Sequence, residues 1–203
     1  MNDFAKELMH HGIQGMHWGE RNGPPYPLDA KMSRKIQSTP KTQLTRAKTA
    51  MKRLSKHMSQ EIKYKDFTKL KDHSEVLKTK CGDCHSQVMY EFEELRKYGI
   101  RPKAKFFIEY DPKTNQGGQT HSFVYFNDRA TGKTIWLENA WESQKAIHEY
   151  PNEHAMIKDV EKKHKEEQTG TRKSFSKVAW GDFKPEDHQA GETLQELVNK
   201  CLK

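Results

Sequence analysis

"TKCGDCHSQVMYEFEELRKYGI", residues 79–100, contains two cysteines, a histidine and the beginning of a helical pattern. Val88, Phe92 and Leu95 follow Cys84 at steps of four and three residues, so all four share one helical face. Basic residues and a glycine come next, as is typical of a helix end. The pattern therefore predicts a helix with Cys84 in its first turn, on the buried side.

Three strands are predicted after this helix. They are "AKFFIEY" (104–110), "HSFVYF" (121–126) and "TIWLE" (134–138), separated by the turns "DPKTNQGG" and "NDRATGK". Such short connections favour an antiparallel β-meander. Together with the helix that carries Cys84, the strands predict an α+β core in which that helix packs on the meander.

The second predicted hairpin brings an imidazole and a carboxylate together. If Asn127 and Gly132 close its turn, His121 lies directly opposite Glu138, and opposed side chains lie on one face of a sheet. A neighbouring carboxylate fixes the tautomer of a histidine and favours the imidazolium. A slip of one residue would bring Asn139 opposite instead, so Asn139 is the alternative orienter.

Cys84, His121 and Glu138 then suit the roles of nucleophile, base and orienter. A helix start and a nearby imidazolium both lower the pKa of a thiol, and the Cys84 backbone N–H can donate to an oxyanion. Trp136 and Trp141 lie on or just after the third strand. They line the substrate cleft in one interpretation and belong to the core in the other.

Two other interpretations of the cysteine pair stay open. A zinc site could use Cys81, Cys84, His85 and a distant histidine, although no second close pair of ligands follows. A thioredoxin-like motif needs a preceding strand, and the preceding segment is charged. Cys84 and His121 could also be purely structural. We expect no metal and no cofactor.

Composition bounds the organisation of the chain. Of its 203 residues 33% are hydrophobic and 32% charged, with a net charge of +8, which predicts one compact domain with polar arms. Three cysteines and the absence of a secretory pattern favour a reducing compartment. No apolar run is long enough to span a membrane. The expected segments are a flexible N-terminal arm (1–40), a basic amphipathic helix (41–71), the core (72–160), and a charged linker with a C-terminal helix (161–203).

The arm and the basic helix are candidate binding elements. The arm is rich in glycine and proline and holds three large apolar anchors, Met16, Trp18 and Tyr26. It is either a disordered arm or a docking peptide. The basic helix either packs its thin apolar stripe on the domain or makes non-specific contacts with nucleic acid.

The segments that contain the candidate site residues resemble those of a known superfamily. "GDCHSQVMYEFEELRKYGIRPKAKFF" resembles the signature of the transglutaminase-like superfamily, "THSFVYF" its histidine strand, and "TIWLENAW" its W-x-x-D strand, with Glu138 where Asp is usual. The resemblance covers residues 80 to about 150. It implies a papain-like fold and a cysteine peptidase, amidase or transglutaminase that acts on a protein or peptide through a thioester, or a member that has lost activity.

The arm carries a second resemblance. "HHGIQGMHWGERNGPPYPL" looks like the H-G-I-x-G-M-x-W-G-x-R peptide of proteins encoded among bacteriophage structural genes. It implies a phage-encoded protein, in the virion or the host cytoplasm, whose arm contacts phage structural proteins. Our first hypothesis is a phage-encoded acyl-transfer enzyme. The second is a non-catalytic virion or host-interaction protein on a degenerate papain-like scaffold, which binds through the arm and the basic helix.

Overall fold

The computed structural model describes residues 42–114, 116–168 and 175–203, so the predicted docking anchors Met16, Trp18 and Tyr26 lie outside the described residues. The described ranges fold as a mixed α+β structure, as predicted. Its elements, in chain order, are α1 (Gln43–Glu61), β1 (Lys63–Tyr64), α2 (His73–Thr79), β2 (Cys81–Gly82), α3 (Cys84–Lys97), β3 (Lys103–Asp111), β4 (Gln116–Asn127), β5 (Thr134–Glu138), β6 (Ala146–Tyr150), α4 (Glu153–Glu166), β7 (Lys177–Phe183) and α5 (Leu194–Cys201).

The main sheet has five strands in the order β6-β5-β4-β3-β7, and every neighbouring pair is antiparallel. The predicted meander of β3, β4 and β5 is therefore confirmed. The two edge strands were not predicted. Edge strands are open to solvent along one side, so charged residues interrupt their apolar alternation and weaken the sequence signal. A short parallel pair, β1 with β2, lies just before α3.

The two faces of the sheet bury two separate cores. The first core joins the sheet to α1, α2, α3 and α5, and includes Val88, Leu95, Phe106 and Val124. The second core lies under α4 and consists of Phe107, Phe123, Tyr125, Trp136, Met156 and Val160. Alternation along each strand explains the division, because successive side chains point to opposite faces.

Local capping fixes where α3 begins and ends. Asp83 is its N-cap, and its Oδ1 accepts a hydrogen bond from the Ser86 N–H at 2.8 Å. Two residues past the helix, Gly99 adopts a φ of 71°, which glycine tolerates without strain. Cys84 and Val88 are buried on this helix. The predicted helix, with Cys84 at its start and on its buried side, is confirmed.

Two segment boundaries differ from the prediction. The basic helix ends at Glu61 rather than 71, because Ile62 is extended and the next two residues pair with β2. The expected linker after residue 160 begins inside α4. This helix has a weak sequence signal because its buried residues recur only every four positions among charged residues. Further along, β7 completes the sheet, while the C-terminal helix forms as predicted, with a capping box at Thr193. None of the helices in the described ranges is long and apolar enough to cross a membrane.

Candidate functional site

Cys84 and His121 line the same cleft. The helix that carries Cys84 packs on one face of the sheet, whereas the His121 side chain lies on the other face. Beyond Cys84, α3 packs into the first core, whereas His121 lies on the same face of β4 as Phe123 and Tyr125 of the second core. The thiol therefore meets the imidazole at the margin between the two cores. The stretch of β4 around His121 pairs with β3 alone, because the pairing of β4 with β5 begins at Val124.

The imidazole of His121 contacts the carboxylate of Glu138, with 2.8 Å between Nε2 and Oε2. The predicted register was nevertheless wrong. Asn127 pairs with Thr134 rather than with Gly132, so Glu138 lies level with Phe123. The register differs by two residues, which keeps every side chain on its expected face and makes His121 and Glu138 diagonal neighbours. We call Cys84, His121 and Glu138 the cleft triad.

The charges of the cleft triad support one another. Burial raises the pKa of the Cys84 thiol, but the charge of His85 and the hydrogen bond and charge of His121 outweigh it and lower that pKa to about 6. Burial lowers the pKa of His121, and the charge of Glu138 and the contact with Cys84 raise it to about 10. Between these two values the arrangement holds a thiolate next to an imidazolium.

Glu138 is firmly oriented. Its Oε1 accepts hydrogen bonds from the backbone N–H groups of Ala140 and Trp141, both at 2.8 Å, while its Oε2 contacts His121. Burial raises the pKa of this carboxyl, and His121 together with the two N–H groups lowers it below its usual range. Glu138 is thus an ionised partner that fixes both the position and the charge of the imidazole.

Asn139, the alternative orienter, makes other hydrogen bonds. Its Nδ2 donates to Glu91 Oε1 at 2.7 Å, and its Oδ1 accepts from Ser55 Oγ at 2.9 Å. Burial and the charge of Glu138 raise the pKa of Glu91 to about 8, against the opposing effect of its hydrogen bond with Asn139. Asn139 therefore connects Ser55 of α1 to Glu91 of α3, whose raised pKa favours the protonated carboxyl at neutral pH. Sequence reasoning missed Glu91, although it lies seven residues after Cys84 on the same helical face.

The cleft beside the cleft triad has a volume of about 440 Å³. Trp141 lines it as predicted, with its ring 5.6 Å from that of His121 and its Nε1 bonded to Glu167. Trp136 does not line it, so for this residue the cleft interpretation is wrong and the core interpretation is right. Its side chain is fully buried in the second core and stacks on His148, because it follows the inward alternation of β5.

His85 has a larger role than the sequence suggested. Its ring is buried and contacts the hydroxyls of Ser122 and Thr120, at 2.8 and 2.9 Å, on either side of His121. It therefore ties the first turn of α3 to β4, and its charge lowers the pKa of Cys84. The signal in the sequence was its position next to Cys84, together with the hydroxyl residues that flank His121.

A second histidine that lines the cleft, His164, also contacts a carboxylate. His164 Nε2 lies 2.8 Å from Glu109 Oε2, and both residues are buried. Phe107 separates the two histidines of the cleft, with its ring 4.8 Å from His164 and 5.6 Å from His121. His164 falls on α4, in the stretch predicted to be a linker, so the sequence prediction did not include it.

The interpretations of the cysteine pair as a metal site can be compared with the geometry. Cys81 Sγ accepts a hydrogen bond from Lys71 Nζ at 3.1 Å, and this contact lowers the pKa of the thiol. The potential ligand atoms that lie within 4.8 Å of one another belong instead to Asp83, Cys84 and His85. Both ring nitrogens of His85 already contact hydroxyl groups, and Asp83 caps α3. These residues are better explained by structural and electrostatic roles around Cys84 than as zinc ligands.

Comparison with known proteins adds no relative to this description. No family model matches the sequence, and no curated protein matches it.

Proposed function

We propose that this protein is a cysteine-dependent acyl-transfer enzyme with a papain-like core, of the peptidase, amidase or transglutaminase kind. One observation carries the proposal. A thiol at the first residue of α3, with its pKa lowered to about 6, lies beside an imidazole that a buried carboxylate orients from 2.8 Å, in an open cleft. Thiolate, base and orienter are the groups that nucleophilic catalysis by cysteine requires.

The proposed reaction starts from the thiolate–imidazolium pair. The Cys84 sulfur uses a lone pair to form a bond to the carbonyl carbon of a carboxamide or peptide, and the backbone N–H of Cys84 donates to the resulting oxyanion. The tetrahedral intermediate expels the amine, which takes its proton from His121, and leaves a thioester on Cys84. Water or a second amine, deprotonated by His121, then attacks the thioester carbon. The carbon–sulfur bond breaks, which releases the carboxylic acid or the new amide and restores the Cys84 thiolate beside the protonated His121.

The phage origin, the location in the virion or host cytoplasm, and contacts with phage structural proteins remain predictions from the arm, which lies outside the described residues. The catalytic proposal does not depend on them. Under the catalytic proposal, the arm attaches an enzyme to its partner. Under the second hypothesis, the arm would itself carry the function of a non-catalytic interaction protein.

Acyl trapping tests the proposal without knowledge of the natural substrate. Full-length protein is incubated with p-nitrophenyl acetate at neutral pH. It carries Cys81→Ser because Lys71 also lowers the pKa of Cys81. Peptide mass spectrometry should find an acetyl group on Cys84, and the Cys84→Ala variant should lose both this group and the release of p-nitrophenolate. The His121→Ala variant should acylate Cys84 more slowly by roughly 100-fold or more.

Cys201 provides the internal control for this experiment. Burial and the charges of Glu192 and Asp182 raise the pKa of its thiol to about 12, so it should remain free of acetyl, and Cys201→Ala should react as the parent does. Equal acetylation of Cys84 and Cys201 would show an ordinary thiol at position 84. That result would favour the non-catalytic scaffold.

A further inference from the structure

A groove of about 630 Å³ lies outside the candidate site, where three connections of the fold meet. Arg46 from the first turn of α1, Arg101 from the connection between α3 and β3, and Arg129 from the turn between β4 and β5 line it. Lys103 adds a fourth cationic side chain. Among the described residues that line this groove, none is acidic. We call this feature the arginine groove.

The charges of the arginine groove lack internal compensation. Within the described ranges, Arg46, Arg101 and Arg129 form no ion pair, and all three are exposed. Lys103 lies 3.6 Å from Glu153 and is partly compensated. Elsewhere in the described ranges, basic side chains face carboxylates, such as Lys105 with Asp182, Lys163 with Asp159 and Lys200 with Glu192.

The shape and setting of the groove suit an extended anion. Its floor is buried and apolar, formed by Ile100, Pro102 and Phe126, so the polar recognition groups lie along the rim. The first turn of α1 contributes Gln43 and Arg46 to the lining and carries no acidic residue, so no carboxylate in that turn offsets the positive end of the helix dipole. A guanidinium presents a planar fork of donors that matches phosphate oxygens, so three guanidinium groups from three segments around one groove favour a ligand with several phosphates.

We infer that the arginine groove binds the phosphodiester backbone of nucleic acid. The contacts are to phosphates, so the binding is independent of base sequence and weakens steeply with salt. The net charge of +8 attracts a polyanion over a longer range, and the groove supplies the local contacts. This assigns the predicted nucleic acid contact to the start of α1 and two loops, and not to the length of the basic helix.

Two triple variants of the full-length protein separate the groove from general charge. The first replaces the groove residues, Arg46→Gln, Arg101→Gln and Arg129→Gln. The second removes the same number of charges from exposed positions of α1 that do not line the groove, Lys52→Gln, Arg53→Gln and Lys56→Gln. Fluorescence anisotropy of a short labelled DNA duplex of mixed sequence is measured over a salt series. A thermal melt of each variant verifies folding, which exposed substitutions should preserve.

The groove variant should bind at least roughly tenfold more weakly at moderate salt. Its slope of log K against log salt should fall by about 0.9 for each phosphate that the protein no longer neutralises. The α1 variant should bind nearly as tightly as the parent and retain the slope. Equal weakening in both variants would overturn the inference, because binding would then follow net charge. Complete competition by inorganic phosphate at matched ionic strength would also overturn it, since the groove would then hold a single anion.

Discussion

Two Cys–His–Glu arrangements occur among the residues that the structure describes, and they differ in what surrounds the thiol. Cys201 Sγ lies 3.7 Å from His188 Nε2, and His188 Nδ1 lies 2.8 Å from Glu192. Cys201 is nevertheless the last residue of α5, where the helix dipole is negative, whereas Cys84 is the first residue of α3. Burial raises the pKa of both thiols, but the charges and hydrogen bonds of His85 and His121 outweigh it at Cys84, whereas the charges of Glu192 and Asp182 add to it at Cys201.

Glu138 should control the charge of His121, and Asn139 should not. Glu138→Gln retains the size of the side chain and removes the charge, so the pKa of His121 should fall by roughly 1–3 pH units. The population of the thiolate at neutral pH should fall with it. Titration of the His121 ring by NMR measures the first effect, and the ultraviolet absorbance of the thiolate measures the second.

Asn139→Ala is the matched variant for this prediction. The Asn139 side chain bonds to Glu91 and Ser55, so its removal should reduce the free energy of unfolding without moving the pKa of His121. The assignment of Glu138 would be refuted if Asn139→Ala lowered the pKa of His121 as far as Glu138→Gln does.

At the scale of elements, α3 carries both the proposed nucleophile, Cys84, and a titratable carboxyl, Glu91, on one face. Glu91 is buried and its pKa is about 8, against about 4.3 for an unfolded glutamate. The folded state therefore retains a proton that the unfolded chain releases. Its contribution to stability is complete below about pH 4 and decreases as the pH rises toward 8.

Glu91→Gln should remove this pH dependence while its side-chain oxygen still accepts from Asn139. Relative to the parent, the variant should become progressively more stable between about pH 4 and pH 8. Urea unfolding across this range measures the difference. Glu93→Gln, on a more exposed part of the same helix, is the control and should show a nearly constant difference. A constant difference for Glu91→Gln as well would show that Glu91 is ionised in the folded protein.

The sequence predicts the elements that form the candidate site better than it predicts the hairpin register and the long-range contacts between them. The helix at Cys84 and the three meander strands have strong periodic signals, so their order and faces could be predicted. The register of the β4–β5 hairpin could not, because the turn accommodates two more residues than assumed. The contact of His121 with Glu138 forms all the same, since a shift of two residues preserves the face. The contribution of His85 depends on Thr120 and Ser122 across the fold, which local patterns do not reveal.

At the scale of the whole molecule, the segment after residue 160 completes the domain instead of leaving it. α4 covers the second core, and β7 extends the sheet beside β3. β7 and α5 pack very closely at Gly181. A Cβ at Gly181 would collide with the carbonyl oxygen of Cys201, so only glycine fits there without displacing the backbone.

Gly181→Ala should therefore reduce the free energy of unfolding by about 1–3 kcal/mol, as overpacking typically does. Gly117→Ala is the control, because its added methyl would meet only the flexible end of Ile108. Denaturant unfolding of both variants measures the difference. Equal stability of Gly181→Ala and the parent would contradict the packing of α5 against β7.

We propose that Cys84 is a thiolate that His121 stabilises and that the protein uses for acyl transfer. The pH dependence of the rate at which iodoacetamide alkylates Cys84 tests it most directly, in full-length protein with Cys81→Ser. The rate should rise with a midpoint near pH 6, and His121→Ala should shift the midpoint upward toward about 8.5, the value of an ordinary thiol. A midpoint near 8.5 in the parent, or one that His121→Ala leaves unchanged, would contradict the claim.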